Sequence, residues 1–167
     1  TSGLGHDPKN VKASIYDCFI NEVDCHDIIL KTETPNVDIL PANIDLVGAE
    51  IEMIDLEERE QKMKMVTSQI KDDFDFILID CSPSLGLITI NALTAADSVL
   101  IPVQSEFYSL EGLGKLKDTI GIIQNSMNKE LKVEGILITM YDQRLRMAKM
   151  LVDNIKEIVS DYIFYKR

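Results

Sequence analysis

Three short apolar runs punctuate the chain: Phe74–Asp80 (FDFILID), Ser98–Val103 (SVLIPV) and Val133–Met140 (VEGILITM). They are rich in Ile, Leu and Val and do not alternate with polar residues, the pattern of strands covered on both faces in a parallel sheet. Val37–Leu40, bounded by Pro35 and Pro41, predicts a fourth strand. Between the runs the helical period appears. Leu110, Leu113, Leu116, Ile120, Ile123 and Met127 advance by three or four and share one stripe, and Met147, Leu151, Ile155, Ile158 and Tyr162 form a second. Ile88–Ala96 predicts a short helix and Leu56–Lys71 a longer, strongly charged one. Strands alternating with helices predict β-α-β crossovers. The expected fold is α/β: a mostly parallel, doubly wound sheet with helices on both faces, made by residues 1–167 as one domain.

Composition fits this reading. Hydrophobic residues are 46% and charged residues 27% of 167, the balance of a globular domain with a core of its own. The longest apolar runs, Phe76–Ile79 and Val99–Val103, fall far short of the roughly 20 residues of a membrane-spanning helix. No basic, apolar and small-residue sequence opens the chain, so no secretory signal is expected. Cys18, Cys25 and Cys81 form no C-x-x-C pair, which excludes a disulfide scaffold and a thiolate metal site built from this chain alone. His6 and His26 are too few for a multi-histidine metal site and make a Ser-His-Asp triad improbable.

The net charge of −11, from 28 acids against 17 bases, repels phosphates and anionic lipid overall. The charge is uneven. Residues 144–167 hold six bases (Arg144, Arg146, Lys149, Lys156, Lys166, Arg167) against Asp153, Glu157 and Asp161. At the other extreme, Asp45 to Glu60 is dense in acids, which reads as a solvated helix face ahead of a metal site.

In a doubly wound sheet, ligands bind beyond the carboxyl ends of the strands. Asp80, directly after the apolar run Phe76–Ile79, is an acid at such an end. A strand holds that carboxylate rigidly enough to orient a water of a hydrated Mg²⁺ beside a nucleotide. An acid capping the next helix would account for it nearly as well. Cys81-Ser82-Pro83-Ser84-Leu85-Gly86 follows, with a proline and a glycine that let the backbone approach a ligand, and a helix start that offers N–H groups to a phosphate. The phosphate loop G-x-x-x-x-G-K-[ST] occurs nowhere. Its nearest lookalike, Gly112-Leu113-Gly114-Lys115, lies inside a predicted helix, and Gly3-Leu4-Gly5 lacks the third glycine of a dinucleotide fingerprint.

The segment from Phe74 to Gly86 resembles the Walker B strand and switch loop of the ParA/Soj partition ATPases. The likeness runs on through Leu87–Asp97 and Ile101–Leu113 and resumes at Glu134–Arg144; Thr1–Gly5 and Val37–Ala42 also fall where that family has similar strings. The resemblance implies an ATP- and Mg²⁺-dependent, P-loop NTPase-like protein of the deviant Walker A class. It would hydrolyse ATP, form a homodimer, bind DNA without sequence preference and respond to a ParB-type partner, in the cytoplasm on the nucleoid and without a membrane anchor.

Residue by residue, Asp80 corresponds to the catalytic Walker B aspartate that holds Mg²⁺ through water. Pro83, Ser84 and Gly86 match the switch segment near the γ-phosphate, and Thr139 and Met140 the strand end near the adenine. Arg144 matches an arginine linked to DNA binding, with Arg146 and Lys149 as its neighbours. Ser82 departs from the family's usual proline. The family's phosphate loop would precede Thr1 and its last strand and helix would follow Arg167, so the chain is expected to be an incomplete central portion, inactive alone. The rival expectations are a MinD-like division-site ATPase and a non-catalytic interaction domain of the same fold.

Overall fold

The computed structural model describes residues 1–81, 84–104, 109–142, 144, 149–150, 152–155 and 163–165. They gather into two units, Thr1–Ala95 and Ala96–Arg167.

In the first unit, helix α1 (Ile15–Ile20) begins at a reciprocal cap. Ser14 Oγ accepts the Tyr16 N–H at 3.3 Å, while Asp17 Oδ2 accepts the Ser14 N–H at 2.8 Å. Strands β1 (Leu30–Lys31) and β2 (Asp38–Ile39) follow, then helices α2 (Asp45–Glu52), α3 (Lys62–Ile70) and α4 (Leu87–Ala95). Ile15, Cys18 and Phe19 of α1, Ala49 of α2, and Met63, Val66 and Ile70 of α3 close over Cys25, Ile28 and Met53 to make the core. Burying such side chains contributes on the order of 1.5–3 kcal/mol each.

Several expectations for this unit are corrected. Residues 38–39 do form a strand, but β2 pairs antiparallel with its near neighbour β1, Leu30 opposite Ile39, instead of joining a parallel sheet. The turn between them is closed by Thr32, whose Oγ1 donates to the Val37 carbonyl at 2.6 Å. The charged helix begins at Lys62 rather than Leu56, because Glu58 adopts a left-handed backbone (φ 52°) that no continuing helix accepts. The largest departure is Phe74–Asp80. Among the described residues this run belongs to no strand: Phe74 and Ile79 pack against the core, but Phe76 (86% exposed) and Leu78 (93%) stand in solvent. Apolar content favours burial, yet a strand exists only where a neighbour completes its hydrogen bonds.

The second unit follows the sequence closely. Strand β3 (Ser98–Gln104) leads through helix α5 (Ser109–Ser126) to strand β4 (Lys132–Thr139), and β5 (Ile163–Tyr165) completes a three-stranded parallel sheet in the order β3-β4-β5. The β3–β4 register runs from Ser98 opposite Lys132 to Gln104 opposite Thr139, with an irregularity after Val99. Helix α5 turns Leu113, Ile120 and Ile123 inward, the predicted stripe. Gly112–Lys115 is helical and forms no phosphate loop. Strand β3 was expected to be covered on both faces, but it buries Ile101 and Val103 while Leu100 is half exposed and Pro102 exposed. Residues 149–150 and 152–155 are helical, with Val152 and Ile155 buried; Met147, Leu151, Ile158 and Tyr162 of the second predicted stripe lie outside the described residues.

Candidate functional site

Asp80 ends the run that begins at Phe74. Its side chain is exposed and, among the described residues, makes no hydrogen bond or ion pair. A bare carboxylate of this kind is a hard oxygen donor open to a hydrated divalent ion, and it is not spent on capping the following helix. Its neighbour Cys81 donates from Sγ to the Ile79 carbonyl at 3.8 Å. Desolvation, reinforced by the Asp80 charge, raises the Cys81 thiol above its ordinary range.

After Asp80 the chain reaches α4 by way of Ser84 and Gly86. The Ser84 carbonyl accepts Thr89 Oγ1 at 2.6 Å, and the Gly86 carbonyl accepts the Ile90 N–H at 3.1 Å. These bonds fix the loop to the first turn of the helix. The next N–H, that of Ile88, goes to Glu50 Oε1 of α2 at 3.1 Å. An acid therefore holds the positive end of α4, where the helix dipole favours negative charge. Gly86 is needed for that approach, since a Cβ there would run into the Glu50 carboxylate. Pro83, expected in the same loop, lies outside the described residues.

Two residues of this region were not singled out by the sequence. Glu50 read as one acid of a solvated face, and a partner 38 residues away leaves no local signal. Asn91 is fully buried on α4; its Oδ1 accepts the Met63 N–H at 3.0 Å and its Nδ2 donates to the carbonyls of Arg59 at 2.8 Å and Leu87 at 3.0 Å. Among the described residues the acids of 45–60 form no cluster able to share an ion.

In the second unit, Thr139 closes β4 with its Oγ1 donating to the Val103 carbonyl at 3.4 Å. Met140 follows in the left-handed region (φ 55°), largely exposed. Arg144 meets Asp142 in a fork: Nε lies 3.0 Å from Oδ1 and Nη2 2.7 Å from Oδ2. The paired guanidinium holds the Asp142 carboxyl below the usual range. Arg144 and Lys149 are exposed, and Arg146 lies outside the described residues. Thus Asp80, Ser84 and Gly86 share one continuous stretch of the first unit, and Thr139, Met140, Arg144 and Lys149 follow β4 in the second.

The AAA-domain family pattern matches residues 1–133. The chain is 44% identical to the sporulation initiation inhibitor protein Soj of Bacillus subtilis over 98% of its own length and 65% of that protein's. It is 40% identical to the chromosome partitioning protein ParA of Myxococcus xanthus, over 98% of this chain and 58% of that one. The chain therefore spans less than two thirds of these relatives. Among solved structures, cobyrinic acid a,c-diamide synthase from Mycobacterium smegmatis, with a bound ATP analog and magnesium, superposes with a TM-score of 0.88 at 35% identity, covering 93% of this chain and 64% of that one. A plasmid partition protein from Borrelia burgdorferi shares the fold at a TM-score of 0.78 and 24% identity, over 98% and 66%. The fold is accordingly the α/β, P-loop NTPase-like fold of these proteins, present in part.

Proposed function

The chain belongs to the ParA/Soj family of chromosome-partitioning ATPases, and from that premise we propose that the protein carrying it partitions a chromosome or plasmid by an ATP-dependent cycle. In this reading residues 1–167 are its central portion, completed by a phosphate loop before Thr1 and a strand and helix after Arg167. The complete protein binds and hydrolyses ATP with Mg²⁺, dimerises, binds DNA without sequence preference on the nucleoid, and is stimulated by a ParB-type partner.

The observation that carries the nucleotide reading is the unpaired Asp80 carboxylate, set just ahead of a loop whose backbone is pinned at Ser84 and Gly86. Asp80 would hold a water of the hydrated magnesium, which when bound neutralises charge on the phosphates. Pro83, Ser84 and Gly86 would present the switch segment to the terminal phosphate. Thr139 and Met140 would border the base at the end of β4. Supporting a DNA role, Arg144 and Lys149 are exposed cations, and the Asp142 fork uses Nε and Nη2 of Arg144, leaving Nη1 for a phosphate oxygen.

The test is Asp80→Asn in the complete protein. Mg²⁺-dependent hydrolysis should fall by about a hundredfold or more. A rate equal to that of the parent overturns the assignment. For the DNA reading, Arg144→Ala should weaken duplex binding and lower its salt slope by about one, with nucleotide binding unchanged. An unaltered slope removes Arg144 from the interface.

A further inference from the structure

Helix α2 carries two faces of opposite use. Ala49 and, one turn on, Met53 are wholly buried in the core of the first unit. Opposite them, Val47 (66% exposed) and Ile51 (73%) on α2, with Ile44 (80%) at its N-cap and Ile54 (53%) in the 3-10 turn that follows it, advance by three or four residues and make one uncovered apolar stripe. Scattered surface aliphatics are ordinary, but four in helical register on one face mark a contact surface.

The charge around the stripe says what covers it. Asp45 and Glu52 flank one side and Asp55 lies at its end, all exposed, with Glu57 and Glu58 beyond. Beside Ile44 a hollow of about 440 Å³ opens over Gly48, walled by Tyr16, Asp45 and Glu52. Two carboxylates form that wall and no base does, so the hollow suits the head of a lysine or arginine. Glu52 Oε2 is held in place by the Tyr16 hydroxyl, which donates to it at 2.9 Å. A second copy of this chain is a poor occupant, because a two-fold pairing would set these acidic rims against each other.

We infer that the outer face of α2 docks a basic amphipathic segment of a partner protein, aliphatic side chains on the stripe and cationic side chains against Asp45 and Glu52. Such an occupant sits on the helix whose Glu50 holds the first turn of α4. The docking itself does not rest on the nucleotide reading of Asp80.

The probe is a synthetic helical peptide of about 18 residues with leucine on one face and lysine on the other, measured by fluorescence anisotropy against the complete protein. The controls are its scrambled sequence and a leucine–glutamate version. The leucine–lysine helix should bind and both controls should fail. The double variant Val47→Ser, Ile51→Ser, which leaves the charge unchanged, should weaken binding by about tenfold or more. Asp45→Asn with Glu52→Gln should weaken it too and flatten its salt dependence. Equal binding of the scrambled peptide, or undiminished binding to the serine variant, overturns the inference. So does sedimentation showing the protein self-associated through this face and dispersed by the serine variant. Loss of ATPase activity in Asp80→Asn with peptide binding intact separates this inference from the proposed function.

Discussion

Asn91 Oδ1 accepts the backbone N–H of Met63 at 3.0 Å, joining the middle of α4 to the start of α3. The first N–H groups of a helix have no partner within it, and this buried side chain supplies one. Asn91→Ala leaves that donor, and the carbonyls of Arg59 and Leu87, without their side-chain partner. The expected cost is about 2 kcal/mol or more, read as a lower urea midpoint in the complete protein. An unchanged midpoint would show that water replaces the amide.

His26 links the turn 25–27 to the end of α3: Nδ1 lies 2.7 Å from Asp24 Oδ1 and Nε2 3.0 Å from Asp73 Oδ2. Hydrogen bonds to Asp24 and then Asp73 raise the imidazole above its ordinary value, and bonds from the His26 backbone N–H and then its ring lower Asp24. The histidine contribution is complete below the unfolded value of about 6.5 and disappears as pH climbs through the raised folded value. The Asp24 contribution holds above the ordinary carboxylate range and is lost on acidification. His26→Gln should therefore lower the melting temperature more at about pH 5.5 than at about pH 8.5. Equal losses at both, or no salt sensitivity, would contradict the paired geometry.

The three cysteines should separate by reactivity. Burial, with smaller effects from Cys25 and Asp17, pushes Cys18 up to about 11. Cys25 is fully enclosed and donates to Gln69 Oε1 at 3.2 Å. Cys81 is the exposed one, and desolvation, reinforced by the Asp80 charge, holds its thiol up. A thiol reagent should label Cys81 first, and Asp80→Asn should speed that labelling several-fold by removing the neighbouring charge. Mass spectrometry of the labelled peptides checks both, and equal labelling of all three would contradict the burial.

Gly86 and Glu50 should be energetically coupled. Gly86→Ala forces the carboxylate away from the Ile88 N–H, whereas Glu50→Ala vacates the space. The double variant should be more stable than the sum of the single losses predicts, by about 1 kcal/mol. Strict additivity in a denaturation cycle would disprove the contact.

The second unit was legible because its signals are local. The period of Leu113, Ile120 and Ile123 fixes α5, and the flanking apolar runs become β3 and β4 within one residue. Asp80 stands out in the sequence because an acid after an apolar run is a contiguous pattern. Glu50 and Asn91 do not, since each acts across tens of residues on a backbone group that any residue supplies. Phe74–Asp80 shows the converse: its composition reads as a buried strand, but burial is a property of neighbours, and among the described residues Phe76 and Leu78 are left in solvent.

Those two side chains bear on how copies of the chain meet at high concentration. Phe76 to Ile79 is a four-residue apolar stretch, in no strand among the described residues and bounded by Asp75 and Asp80, so identical copies stacking there would bring like charges together at both ends.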